Sequence, residues 1–183
     1  MVGEIRDKDT AEIAMTASLT GHLLLTTLHT NSAAGAFIRL LDMGLEPYLV
    51  ASALSAVFAQ RLVRRICPNC RETYAPAPAL LGELAATARK LYAGLSFEGA
   101  RLFRGAGCKS CRGTGYAGRV LVFELCPQFA GLRTLILKKA ALEEIQAAAV
   151  QAGMEPMGAY GLELVRSGET TLEEFFRIVG ERD

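Results

Sequence analysis

The chain has 183 residues, 51% of them apolar and 21% charged, and a net charge of +1 from 20 basic and 19 acidic groups. That length suits one ordinary domain or two small ones burying roughly 70% of the unfolded surface, and the composition excludes a disordered chain. Near-balanced charge argues against a dedicated nucleic-acid binder, which concentrates positive charge, and the longest uncharged apolar stretch, Tyr48–Ala59, falls well short of the ~20 residues that span a bilayer.

The chain opens with Val2-Gly-Glu-Ile-Arg-Asp7, which carries acids where a signal peptide needs a basic and then apolar run. A cytoplasmic address follows, with any membrane link made through a partner. Glu4 comes at the end of a short apolar strand and is followed by a cation and a second acid. On its own such an acid sits most often on a surface. Asp9 and Glu12 have the spacing of a helix start, and the helix is expected to run to about Leu19 and stop at Gly21. His22–Leu28 reads as a buried strand, although periodicity alone leaves a helix open. Its carboxyl end delivers Thr27-Leu-His-Thr-Asn31, polar groups placed where open α/β sheets bind ligands. Taken singly, His22 and His29 are each as consistent with a hydrogen-bonded structural histidine.

A helix over about Ala33–Met43 is capped by Asn31 or Ser32. The next begins with Pro47 in its first turn and is expected to carry Val50, Leu54, Val57, Phe58 and Leu62 on one side, ending in Gln60-Arg-Leu-Val-Arg-Arg65. On that helix Arg61, Arg64 and Arg65 would share a face, either as a solvated end or as cations facing phosphate.

Composition changes at Cys67-Pro-Asn-Cys70. After a stiff Ala75–Pro78 connector come a helix around Leu80–Tyr92, a short strand near Arg101–Arg104, and a glycine-rich segment containing Cys108-Lys-Ser-Cys111. Paired CxxC units in a reducing compartment are metal ligands more often than disulfides. Four thiolates suit a closed tetrahedral zinc site, and Arg65, Arg71, Lys109 and Arg112 lie near enough in sequence to offset its negative charge. The loop 71–107 is longer than that of a compact zinc ribbon. Cys126 stands alone after a strand and reads as core. Arg119–Leu125 is a returning strand, and helices follow at Ala130–Lys139, Leu142–Ala152, Met157–Ser167 and Leu172–Val179, the last with a capping signal at Thr170 or Thr171. This tail is expected to pack and dock without chemistry of its own, and its last helix to be removable without loss of metal.

In order, Val2-Gly-Glu-Ile-Arg-Asp7, Thr20-Gly-His22 through Thr27-Leu-His-Thr-Asn31, Ala59-Gln-Arg-Leu-Val-Arg-Arg65, the two CxxC units, Gly118-Arg119 with Phe123-Glu-Leu125, and Gly168-Glu-Thr-Thr-Leu-Glu-Glu174 resemble the secretion ATPases. These are the ATPases of type II secretion (GspE) and type IV pilus assembly (PilB), and the resemblance covers essentially the whole chain. Two departures, Ser32 where Asp is common and Leu121 where Gly is common, leave the proposed chemistry untouched.

The resemblance implies an α/β fold: the C-terminal part of a RecA-like ATPase core, with an inserted tetracysteine zinc module and a C-terminal helical subdomain. The sheet is expected to be formed by His22–Leu28 and Arg119–Leu125. The implied boundaries are 1–66 for the core portion, 67–118 for the zinc insertion, 119–127 for the returning strand and 128–183 for the helices. Glu4 would be catalytic, polarising the attacking water and helping to organise Mg2+. His22 and His29 would line the phosphate end of an ATP site, and Arg61 would be a nucleotide- or interface-facing cation. Cys67, Cys70, Cys108 and Cys111 would bind structural Zn2+, which favours the secretion and assembly branch over retraction. Implied partners are neighbouring subunits of a homo-hexamer and an inner-membrane platform protein, with the chain peripheral at that membrane and no nucleic-acid partner.

No G-x-x-x-x-G-K-[ST] phosphate loop occurs in the chain. It therefore reads as a piece of the ATPase cut just before its catalytic carboxylate, unable to hydrolyse ATP alone. The rival reading is a stand-alone zinc-ribbon interaction module with no catalytic role.

Overall fold

The computed structural model describes residues 1–79, 82, 86 and 101–180. Its elements are helices α1 (Lys8–Leu19), α2 (Ala33–Asp42) and α3 (Pro47–Ala53), strands β1 (Ala56–Ile66), β2 (Arg71–Tyr74), β3 (Leu102–Gly105) and β4 (Tyr116–Pro127), and helices α4 (Ala130–Leu137), α5 (Leu142–Gln151), α6 (Met157–Arg166) and α7 (Leu172–Gly180). The helix expected over Leu80–Tyr92 lies almost wholly outside the described residues. The fold is mixed α/β and divides into two compact units, 1–59 with 124–155 and 60–123 with 156–183. The helices grouped at 128–183 in the sequence reading are thus shared between the units.

In the first unit, α1 starts two residues earlier than the sequence suggests. Asp7, not Asp9, is the cap, and its carboxylate accepts the Thr10 N–H at 2.8 Å. Ser32 caps α2 by accepting the Gly35 N–H at 3.0 Å. Phe37, Leu40, Val50, Leu132, Ile136 and Ile145 form the centre of an apolar core shared by α2, α3, α4 and α5.

Two expectations fail here. The helix beginning at Pro47 ends at Ala53, and Gln60–Arg65 lies in β1. Val57, Ala59, Arg61 and Val63 turn to the more buried side of that strand in alternation with exposed neighbours. Alternation holds from Ala56 to Val63 and then breaks, with Arg64 and Arg65 both exposed before buried Ile66, so the three arginines do not line one helical face. A helical pattern in Leu54, Val57, Phe58 and Leu62 was overridden by pairing with β4.

The expected sheet also differs, since β4 pairs with β1 and the described residues form two two-stranded sheets. His22–Leu28 is extended but belongs to neither. It runs beside the chain start, with Val2 N–H donating to Leu25 O at 3.0 Å and Ile5 N–H to Thr27 O at 3.1 Å. It is not buried either: Leu23 is 87% and Leu25 62% exposed, alternating with half-covered Leu24 and Leu28.

In the second unit, β2 and β3 form an antiparallel pair in which Arg71 faces Gly105 and Tyr74 faces Leu102. The strand anticipated near Arg101–Arg104 is present as β3, whereas β2 was not foreseen. Two hydrogen bonds join the turn between α6 and α7 to β1. Ile66 N–H donates to Glu169 O at 2.9 Å, and the Thr170 hydroxyl donates to Arg64 O at 2.8 Å. Gly168 has φ +76 and lies against the Phe103 ring, where a Cβ would stand 2.6 Å from a ring carbon, so the α6–α7 turn requires glycine.

Candidate functional site

Two clusters of chemically capable side chains stand out, one in each unit. The first begins with backbone pairing. Because Val2 and Ile5 donate to Leu25 and Thr27, and the Thr27 hydroxyl donates to Gly3 O at 2.8 Å, Glu4 and His29 are brought side by side. His29 Nε2 lies 2.7 Å from Glu4 Oε1, and Arg6 Nε donates to Glu4 Oε2 at 2.6 Å. Glu4 Oε1 is buried, and the His29 imidazole is the polar group that meets it. The Arg6 guanidinium, and after it His29, hold the Glu4 carboxyl below the usual carboxylate range against a smaller opposing effect of burial. Glu4 is therefore an anion at neutral pH, able to accept a proton from water or to orient a hydrated cation.

The other two residues predicted for this site do not join it in the same way. The exposed His22 turns back on α1, with Nδ1 3.2 Å from the Thr20 hydroxyl and 3.3 Å from Ala17 O. Arg61 belongs to β1 and to the second unit. Sequence reasoning overlooked Arg6, although its i+2 spacing from Glu4 puts both on one face of an extended segment. It also passed over Glu124, 4% exposed on β4, whose Oε1 accepts the Ala33 N–H at 2.6 Å. The available signal was an acid in step with Val122 and Cys126 on the strand's buried face.

The second cluster is Cys67, Cys70, Cys108 and Cys111, whose sulfurs all lie within 4.8 Å of one another. The close pairs are 67–108 at 3.9 Å, 70–111 at 3.8 Å and 108–111 at 3.7 Å. A tetrahedral ion with four sulfurs at 2.3 Å has sulfur–sulfur edges of about 3.8 Å. The separations match that figure, and all four cysteines are free of disulfides. The backbone favours the thiolate at Cys111: N–H groups of Cys108 and Gly115 point at its Sγ from 3.1 and 3.3 Å. The Cys108 N–H is the leading cause that brings the Cys111 thiol down to about 6, while burial pushes Cys70 up to about 12.

The glycines allow the two knuckles to meet. The chain at Gly105 crosses the chain at Gly115 so closely that a Cβ on Gly105 would sit 2.0 Å from Gly115 O, and Cys67 N–H donates to that same carbonyl at 2.9 Å. Two of the cations expected to offset the thiolates are engaged elsewhere: Arg65 pairs with Glu169 at 2.7 Å, and Arg71 reaches Gly168 O and the Phe103 ring. Cys126 is fully buried on β4, and burial, with the Glu124 carboxylate behind it, raises its thiol, in keeping with a core role.

Comparison with known proteins places these geometries in a family. A family model described as Type II/IV secretion system protein matches residues 1–177. The chain is 45% identical over 181 residues to the Type II secretion system ATPase E of Vibrio cholerae, covering 99% of this chain and 34% of that protein. It is 44% identical over 174 residues to the Type IV pilus assembly ATPase PilB of Thermus thermophilus, covering 95% of this chain and 19% of that one. The chain thus spans about a third or less of the length of these relatives. Its fold is similar to the X-ray structure of the ATPase DotB from Yersinia pseudotuberculosis, with a TM-score of 0.61 at 17% identity over 96% of this chain and 35% of that one. DotB from Legionella pneumophila gives a TM-score of 0.60 at 20% identity, covering 100% and 38%. A match that takes in both clusters and nearly every element shows that the chain belongs to the Type II/IV secretion system protein family.

Proposed function

We propose that this chain is the C-terminal portion of a hexameric ATPase that powers type II protein secretion or type IV pilus assembly. The observation that carries the reading is the meeting of Glu4 and His29. Two residues far apart in sequence are held 2.7 Å from each other by backbone pairing, and the carboxylate is kept ionised. In that role Glu4 polarises the attacking water and helps to organise Mg2+, while His29 lies beside it at the γ-phosphate end of the ATP site. Phosphoryl transfer to water is driven by positioning and charge neutralisation, which suits an anion and an imidazole set by the fold. His22 is assigned to the phosphate end of the nucleotide site, and Arg61 to the nucleotide or to the neighbouring subunit.

The four cysteines hold one structural Zn2+ in this reading. The ion supplies cross-linking and no chemistry to the nucleotide. In the whole protein the partners are neighbouring subunits and an inner-membrane platform protein, and the address is cytoplasmic and peripheral at that membrane. No helix among the described residues is long and apolar enough to cross a membrane. The family match over residues 1–177 reaches far beyond the cysteine segment, which favours this reading over a stand-alone zinc-ribbon module.

A triphosphate is gripped mainly by phosphate-loop amides and a lysine, and that motif does not occur in this sequence. The chain by itself therefore neither binds nor hydrolyses ATP appreciably. Calorimetry with millimolar Mg-ATP is expected to show no saturable heat, and phosphate release to match buffer. In a longer protein that carries the phosphate loop, Glu4→Gln is expected to lower kcat by about a hundredfold or more, the scale of a lost proton acceptor. Unchanged turnover in that variant would remove Glu4 from the chemistry.

A further inference from the structure

The loop 28–32 that carries His29 is held at both ends. Upstream, Thr27 is tied to the chain start by its carbonyl, which accepts the Ile5 N–H at 3.1 Å, and by its hydroxyl, which donates to Gly3 O at 2.8 Å. Downstream, the first residue of α2, Ala33, gives its N–H to Glu124 Oε1 at 2.6 Å. That distance is short for an N–H···O contact and matches a charge-assisted bond.

Glu124 answers a donor that the local cap leaves open, the N–H of buried Ala33. Ser32 already caps α2 through the Gly35 N–H. The Glu124 acceptor arrives from a strand ninety-one residues away in sequence, so it both satisfies the helix end and fixes where the helix begins. Glu124 is 4% exposed, and burying a carboxylate costs several kcal/mol. The positive end of the α2 dipole and the N–H at its first residue offset that cost, which gives the strand-to-helix link a defined direction. The same contact also fills the amino end of α2 with an internal anion, so a phosphate arriving there would meet a negative charge.

We infer that Glu124 is a positioning residue that sets His29 against Glu4 by anchoring the downstream end of the His29 loop to β4. The inference rests on the proposed role of Glu4 and His29, but its test does not depend on nucleotide binding.

The test uses the 183-residue chain itself, which contains only two histidines, His22 and His29. In Glu124→Ala, amide exchange at Ala33 is expected to quicken about tenfold or more, the scale of a lost hydrogen bond to a charged group. The His29 imidazole resonances are expected to shift with it, while those of His22, held on α1, stay in place. Glu124→Gln keeps a carbonyl acceptor, so it should restore most of the His29 shift. Faster exchange at Ala33 with unmoved His29 resonances would overturn the inference and leave Glu124 a helix cap. If the alanine variant fails to fold, the glutamine variant decides. An Ala33 amide proton moved upfield together with a small His29 shift supports the link, and a moved Ala33 with static His29 overturns it. Failure of the nucleotide reading appears elsewhere, as unchanged phosphate release in Glu4→Gln of the longer protein.

Discussion

The two units build their chemical clusters by opposite routes. In the second unit each half of the cysteine cluster is a local knuckle, Cys67–Cys70 or Cys108–Cys111, and crossing glycine backbones bring the halves together. In the first unit nothing local makes the site. Glu4, His29 and Glu124 come from three distant segments and are arranged by single hydrogen bonds between extended chains and one helix end. The second unit is also tied by charge through its interior. Glu174, its side chain 2% exposed, accepts the backbone N–H of Arg64 at 2.8 Å and its guanidinium at 2.9 Å, with Arg177 at 3.1 Å. Arg64 in turn stacks 4.1 Å above Tyr116, whose hydroxyl meets Thr171 at 2.9 Å. The comparison teaches that a site encoded by spacing is robust and readable, whereas a site encoded by placement is open to adjustment.

The sharpest way to break this contrast is to disable the four-cysteine cluster. Structural zinc contributes ~10–16 kcal/mol in small peptides, so chelation or Cys67→Ser is expected to unfold the second unit. Hydrogen exchange should then rise across β2, β3 and the 106–118 segment while α1 and α2 stay protected. Uniform loss of protection would show that the units share one cooperative fate.

The next largest effect concerns the tail. The last helix was expected to be dispensable for metal binding, but α6 and α7 belong to the same unit as the cysteines. Phe175 is fully buried, and Phe175→Ala should cost about 3–5 kcal/mol. Metal titration of that variant should show weaker retention, and unchanged zinc content at raised temperature would restore the earlier view.

Glu174→Ala follows. It leaves the Arg64 N–H without its acceptor, and because Arg64 itself keeps contact with water the cost should be about 2–3 kcal/mol. The same pair predicts a pH dependence. Burial raises the Glu174 carboxyl, but the Arg64 guanidinium and N–H, then Arg177, outweigh it and leave the group below its ordinary value. A depressed carboxylate contributes stability that is complete above the unfolded pKa of about 4.3 and is lost as pH falls through the folded value. Thermal melts should therefore weaken on acidification below about pH 4.3, and Glu174→Gln should flatten that slope.

The smallest effect is expected at the exposed face of the first unit. Leu23→Lys changes a side chain that is 87% exposed, so stability should move by less than ~0.5 kcal/mol. A larger loss in chemical denaturation would mean that Leu23 is covered in solution.

The legible parts of the fold were those set by local chemistry. Ser32 and Gly44 bound α2 where capping rules place them, and the four tail helices begin within a residue of their expected starts. The errors share a cause. Ala56–Ile66 holds apolar residues at both helical and strand periods, and the choice between them came from β4, whose pairing no window of sequence contains. His22–Leu28 has the apolar run of a buried strand, yet its partner is the two-bond edge of the chain start, which covers only alternate residues.

By itself the sequence determined the four-cysteine cluster and the family. Ligand spacing and an ordered set of motifs are properties of the chain that survive without coordinates. Only the tertiary structure decided that Glu4 meets His29, that Ala56–Ile66 pairs with β4, and that Glu124 closes the amino end of α2. These are contacts between distant segments, each single polar contact worth about 1–3 kcal/mol. Contacts of that size leave no periodic trace in a sequence, because what sets them is which backbones lie side by side.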